Sequence, residues 1–131
     1  MSNTTSKHIQ VACAIIQRDD RFFIARRKPE KSQGGKWEFP GGKRKAKESI
    51  EECLEREFLE EFDVHIKTGG LCGSNIHHYE NISIELIALY CKMDAHTFTM
   101  TDHDQTAWVT KEELRSYDLA PADIPLIDFI T

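Results

Sequence analysis

The spacing of apolar positions changes several times along the chain, and each change marks an element. Residues 9–17 are almost continuously apolar and partly β-branched, the pattern of a strand buried on both faces. Arg18-Asp19-Asp20 reads as a turn, and residues 21–27 as the returning strand of a hairpin. Residues 28–42 carry Pro29, Gly34-Gly35 and Pro40-Gly41-Gly42 and read as a loop. Ser49 followed by Glu52 is a capping box, so a helix begins there and runs to about residue 62. Residues 66–72 read as a strand. So do residues 82–92, where Ile82, Ile84, Leu86 and Ala88 alternate against polar neighbours. A short strand at 107–109, a brief helix at 111–116 and a final short helix at 122–130 complete the chain. Strands on either side of one long helix predict an α/β fold, a mixed sheet with helices packed on it.

Composition narrows the class. A chain of 131 residues is expected to form one domain, 1–131. Residues 1–7 are polar and lack the apolar stretch of a secretory signal, and no apolar run reaches membrane-spanning length; a cytoplasmic protein without a membrane partner is expected. Cys13, Cys53, Cys72 and Cys91 are far apart with no Cys-x-x-Cys pair, and three fall in apolar patterns where cysteine acts as a small hydrophobe. The formal charge of −5 argues against duplex nucleic acid as a partner. That charge is unevenly placed. Residues 48–63 hold eight acids and one base, whereas residues 21–47 are rich in Arg and Lys. An acidic cluster beside a basic stretch suits a metal ion next to an anionic substrate.

On a helical wheel, Ile50, Cys53, Leu54 and Phe58 form the apolar face of the 49–62 helix. Glu57, Glu60 and Glu61 fall within an arc of about 100° at its edge. These carboxylates repel one another, and they sit near the helix C-terminus, where the backbone dipole disfavours negative charge. A hard divalent cation compensates such a cluster, because Mg²⁺ takes carboxylate oxygens and keeps places for water and phosphate. A solvated acidic face partly relieved by Arg56 is the other reading, and spacing alone leaves both open.

The register from Gly42 through Glu48 to Arg56-Glu57-Phe58-Leu59-Glu60-Glu61-Phe62-Asp63-Val64 resembles the Nudix box, Gly-x5-Glu-x7-Arg-Glu-U-x-Glu-Glu-x-Gly-U, with U a bulky apolar residue. Six of the seven polar or glycine positions match. Asp63 replaces the last glycine, at a place that often needs a left-handed backbone, which Asp tolerates better than most residues. The 43–47 segment, Lys-Arg-Lys-Ala-Lys, is unusually basic for the family. The resemblance implies a Nudix-type α/β/α sandwich with a catalytic loop and helix.

It also implies roles. Glu57, Glu60 and Glu61 hold Mg²⁺, with Mn²⁺ as the alternative, and Arg56 orients them by ion pairing. Glu48 supports that network or reaches the metal through water, and a backbone carbonyl from Gly41-Gly42 adds a ligand. The segments Phe23-Ile24-Ala25-Arg26-Arg27 and Gly35-Lys36-Trp37-Glu38-Phe39-Pro40-Gly41-Gly42 look like the MutT-like branch. By position, Arg27 then contacts phosphates or the base, Lys43 is a further phosphate contact, and Phe39 and Tyr79 wall the base pocket; surface charge and core packing are the competing readings. Asp102-His103-Asp104 before Trp108 resembles a Glu-His step whose acid binds metal or acts as general base. Asp102 takes that place here, with Asp104 a substitute and Glu61 another candidate base. His103 contacts phosphate or is a solvated loop residue, and His77-His78 is structural. The 119–126 segment is close to one in MutT-like and CTP pyrophosphohydrolase relatives, where the residue at Asp123 reads the base edge; capping the last helix is its other possible task.

The activity implied is metal-dependent hydrolysis of a nucleoside triphosphate to a monophosphate and pyrophosphate. Oxidised dGTP or a (modified) cytidine triphosphate is the favoured substrate, and a monomer or homodimer is expected. Hydrolysis of dinucleoside polyphosphates or nucleotide sugars is the second enzymatic reading. A non-catalytic nucleotide sensor is the third, set against the retention of Glu57, Glu60 and Glu61.

Overall fold

The computed structural model describes residues 7–131. Its centre is β1 (Lys7–Arg18), whose continuous apolar pattern has a direct cause. Ala12, Ala14 and Ile16 pack into one core, with Cys53, Leu54, Phe58 and Phe62 of the long helix. Cys13 and Ile15, on the opposite face, pack into a second core with Leu114, Leu126, Ile127 and Ile130. Over residues 12–16 both faces of the strand are therefore dry, and no polar alternation survives there.

One edge of β1 is taken by β6 (Ile82–Lys92), parallel, in register from Lys7↔Ile82 to Ile16↔Cys91. The other edge is shared. β2 (Arg21–Arg27) pairs antiparallel only at Gln17↔Phe22 and Arg18↔Arg21 before diverging. Further along, β4 (Gly41–Lys43) takes the same edge at Val11↔Lys43 through Cys13↔Gly41. That fork leaves a wedge of space between the β2 and β4 arms. β2 carries β3 (Trp37–Glu38) and β7 (His103–Thr110) on its two edges, and β5 (Lys67–Tyr79) lies outside β6. The sheet is mixed, with helices on both faces.

The long helix α1 (Ile50–Phe62) starts where the capping box requires: Ser49 Oγ accepts the Glu52 N–H, and the Glu52 carboxylate accepts the Ser49 N–H. It stops at Asp63, which adopts the left-handed conformation (φ 56°, ψ 44°) and returns its N–H to the Leu59 carbonyl. The short helix α2 (Lys111–Leu114) and a 3₁₀ turn at Ile124–Phe129 cover the other face. No helix among the described residues is long and apolar enough to cross a membrane.

Several boundaries differ from the sequence reading. The 28–42 loop contains β3 and β4, whose two and three residues are too short to show periodicity. β5 runs on to Tyr79, and β7 begins at His103. The last helix is a 3₁₀ turn with Pro125 in its first turn, and α2 ends at Leu114.

Candidate active site

The wedge opened by the forked sheet is a cavity of about 470 Å³. One end is lined by Gly41, Gly42, Lys43, Glu57, Glu61, Asp102 and Arg27, and the other by Phe39, Tyr79, Leu86, Ala122 and Asp123.

At the first end, α1 presents its carboxylates to the β4 turn. Arg56 organises them. Its Nε and Nη2 donate to the two oxygens of Glu48 at 2.7 and 3.0 Å, and its Nη1 donates to Glu57 at 2.8 Å and Glu60 at 3.1 Å. Nη2 also donates to the Lys43 carbonyl at 3.0 Å, tying the helix to the loop before it. The Arg56 hydrogen bond first, then the Lys45 N–H, hold the Glu48 carboxyl down at about 2. A Cβ on Gly42 would overlap the Glu57 carboxylate, the flexible end of a side chain that would have to move aside. A Cβ on Gly41 would strike the Ala12 carbonyl.

Glu61 faces a different environment. It is 5 % exposed and makes no ion pair with Arg56. Its Oε1 is buried without a hydrogen-bond partner, 3.6 Å from Nδ1 of His103. Burial first, then the nearby Glu57 and Asp102 carboxylates, push its acid strength far from the ordinary range, towards the protonated form. The 93–102 segment brings Asp102 here by crossing the end of α1, where Thr99 and Thr101 N–H groups cap the Phe62 and Glu61 carbonyls. Burial would raise Asp102, but its Lys31 partner at 3.2 Å and the neighbouring Glu61 outweigh it and hold Asp102 below the usual carboxylate range.

Glu57, Glu61 and Asp102 therefore crowd one cavity wall, while no group of three or more His, Cys, Asp or Glu side chains among the described residues is already closed around one point. The donor set suits a hard divalent cation: carboxylate oxygens, an orphaned buried oxygen on Glu61, and backbone brought close by Gly42. Glu60 stands apart, with its side chain 54 % exposed and held by Arg56 outside the cavity lining.

At the second end, Asp123 is buried and its Oδ2 accepts the Phe39 N–H at 2.8 Å. Its side chain makes no capping hydrogen bond to the 3₁₀ turn, so the capping reading falls. Burial first, then the Glu38 charge, raise its carboxyl well above the usual range. Phe39 packs into the core and also lines the cavity. Tyr79 lines the cavity with its ring 4.5 Å from that of His77, and His78 pairs with Ser83 outside it. Arg27 reaches the cavity between the Ser32 carbonyl at 2.6 Å and Glu38 at 3.5 Å.

Two expectations fail at the start of β7. A register shift pairs Arg27 with His103 and Arg26 with Gln105, leaving Asp104 without a strand partner. Asp104 turns outward to Arg26 at 2.8 Å and is no substitute base. His103 is neither solvated nor at the cavity surface: its side chain is 0 % exposed, stacked on Phe62 and hydrogen-bonded to Glu38 at 2.7 Å. Glu38 itself had been assigned no role, because a lone acid in a Gly- and Pro-rich segment carries no periodic signal.

Residues 11–129 match the family model described as NUDIX domain. The chain is 38 % identical over 125 residues to the CTP pyrophosphohydrolase of Escherichia coli (strain K12), covering 93 % of this chain and 90 % of that one. It is 33 % identical over 118 residues to a putative 8-oxo-dGTP diphosphatase 2 of Mycobacterium tuberculosis (strain ATCC 25618 / H37Rv), covering 88 % and 82 %. The solution structure of the E. coli ORF135 protein superposes with a TM-score of 0.81 at 35 % identity, covering 94 % of this chain and 88 % of that one. With its box in register on α1 and the preceding loop, and a match across nearly its whole length, the chain belongs to the Nudix hydrolase family.

Proposed function

We propose that this protein hydrolyses a nucleoside triphosphate to a nucleoside monophosphate and pyrophosphate, with a divalent cation at Glu57 and Glu61. The observation that carries the reading is that one cavity is lined both by the Glu57, Glu61 and Asp102 carboxylates and by Phe39, Tyr79 and Asp123. A backbone carbonyl oxygen from Gly41-Gly42 completes the ligand set, and Glu60, which Arg56 holds at 3.1 Å outside the cavity lining, would join it only by turning in from that arginine. Mg²⁺, or Mn²⁺, bound there would draw charge from the phosphate oxygens and lower the pKa of the attacking water.

The chain's own residues do the rest. Arg27 and Lys43, at the cavity rim, neutralise the phosphate tail. Asp102, kept ionised beside Lys31, takes the proton of the attacking water, with Glu61 as the alternative. Water adds to phosphorus, the P–O bond of the pyrophosphate linkage breaks, and pyrophosphate leaves. At the other end, Phe39 and Tyr79 wall the base while Asp123 reads its edge. A carboxyl group accepts from the cytosine amino group or, when protonated, also donates, so a (modified) cytidine triphosphate and oxidised dGTP both suit it. The names of the relatives support the same two substrates.

The test is the initial rate of pyrophosphate release from 8-oxo-dGTP, dCTP, 5-methyl-dCTP, CTP and diadenosine tetraphosphate. One triphosphate base preferred by more than about 10-fold is expected. Cleavage of diadenosine tetraphosphate alone would move the assignment to dinucleoside polyphosphates.

A further inference from the structure

The segment that carries Asp123 is fastened on two sides, and the fastenings differ in kind. Towards β3 it is held through the backbone of that strand and the residue after it. The Trp37 N–H donates to the Asp118 carbonyl at 2.9 Å, the Ala120 N–H to the Trp37 carbonyl at 2.8 Å, and the Phe39 N–H to Asp123 at 2.8 Å. Towards β5 the tie is a side chain: Asn75 Nδ2 donates to the Ala122 carbonyl at 3.1 Å. That carbonyl depends on a side-chain donor. In a 3₁₀ turn the N–H three residues on would return to it, but that residue is Pro125, which has none. No backbone N–H among the described residues is bonded to it. Asparagine is depleted in strands, yet Asn75 sits in the regular part of β5, opposite Leu86. The same face of β5 carries Gly73, where a Cβ would strike the Phe129 ring, and Tyr79, which lines the cavity. β5 therefore touches the chain on either side of the 3₁₀ turn, and one strand face supplies both the tie and a cavity wall.

We propose that Asn75 is a positioning residue for base selection; this rests on the reading of Asp123 and Tyr79 as base contacts. Asn75 does not line the cavity itself. By holding Ala122 to β5 it fixes how far Asp123, the next residue, stands from Tyr79, further along the same strand. Hydrogen bonds to a base edge hold only over donor–acceptor distances of about 2.7–3.2 Å, so a drift of the Ala122 segment by about 1 Å breaks them. Glu57 and Glu61 stand on α1 and Asp102 before β7, away from this tie. Loosening the tie therefore costs base recognition and leaves the hydrolytic step intact.

The experiment is the measurement of kcat and KM, by pyrophosphate release with Mg²⁺, on dCTP and 8-oxo-dGTP. It compares the unaltered protein with Asn75→Asp, Asn75→Ala, Asn75→Gln and Asp123→Asn. Asn75→Asp keeps the size and sets an acceptor against the Ala122 carbonyl. KM for the preferred triphosphate is expected to rise about 3–10-fold, the worth of one hydrogen bond, with kcat held within about twofold. The ratio of kcat/KM between the two bases should narrow in step. Asn75→Gln, which keeps a donating amide, should recover part of the loss. A residue needed only for folding would lower the active fraction, reducing kcat on both bases and leaving KM and the base ratio as they were. That result, or unchanged kinetics, overturns the positioning role. Should Asn75→Asp fail to fold, as read by circular dichroism, Asn75→Ala, which removes the donor without adding a charge, decides in the same way. A base ratio shifted in Asp123→Asn but unmoved in the Asn75 variant leaves the base site standing and removes the tie's role. An unmoved ratio in Asp123→Asn removes the base reading, and this inference with it.

Discussion

Asp123 and Glu61 are both buried carboxyl groups that burial makes weaker acids than usual, yet their surroundings differ in a way that separates their tasks. Asp123 has one backbone donor, from Phe39, and lies among apolar pocket walls. Glu61 lies among other carboxylates. Asp123→Asn keeps an acceptor for the Phe39 N–H while changing the pattern shown to a base. The ratio of kcat/KM between cytosine and 8-oxoguanine triphosphates is expected to shift by about 10-fold or more, the worth of one base-edge contact. An equal loss on every base would make Asp123 a structural residue. For Glu61 the sign follows from linkage. Its carboxyl is raised above the ordinary value of 4.5, so without a cation the folded chain binds a proton that the unfolded chain has lost. The metal-free fold therefore loses stability as pH rises above the glutamate range, and a cation that needs the carboxylate must displace that proton. Calorimetry of Mg²⁺ binding at pH 7 in buffers of different ionisation enthalpy should show release of about one proton. Heats independent of the buffer would contradict it. The buried ring beside Glu61 was beyond reach of pattern reading, since His103 and its hydrogen-bond partner Glu38 are 65 residues apart in the chain.

At the scale of elements, α1 was legible because its signals are local. Ser49 and Glu52 cap each other three residues apart, and the apolar stripe and acidic edge fall on one helical wheel. β1 was legible because both of its faces are dry. β4 was not, since Gly41 and Gly42 read as a turn in isolation and become a strand only through the edge of β1 that β2 vacates. β5 was extended too little because it is an outer strand interrupted by Gly69, Gly70 and Gly73, with register shifts against β6 that blur any alternation. Asp63 offers the sharpest test at this scale. It occupies the left-handed position favoured by glycine, and its charge sits at the negative end of the α1 dipole. Asp63→Gly is expected to stabilise the fold by about 0.5–1 kcal/mol in urea unfolding, and Asp63→Ala to destabilise it by about 1 kcal/mol. The reverse order would mean that the Asp63 side chain supplies a contact outweighing backbone strain.

For the whole molecule, the fork in the sheet is the organising feature. It sets the α1 carboxylates, the β4 backbone, the Asp102 loop and the Asp123 pocket around one cavity, although these segments are scattered from one end of the chain to the other. The motif marked the carboxylates on α1 but not the cavity that they share with Phe39, Tyr79 and Asp123. The central claim is that this cavity splits a triphosphate into monophosphate and pyrophosphate with a cation on α1. Product analysis of the best substrate, with Mg²⁺ and then with EDTA, for the unaltered protein and Glu57→Gln, tests it most directly. Monophosphate and pyrophosphate are expected in equal amounts, with a loss of about 10²–10³-fold both in EDTA and in Glu57→Gln. Release of orthophosphate, or turnover that survives EDTA and the Glu57 substitution, would contradict it.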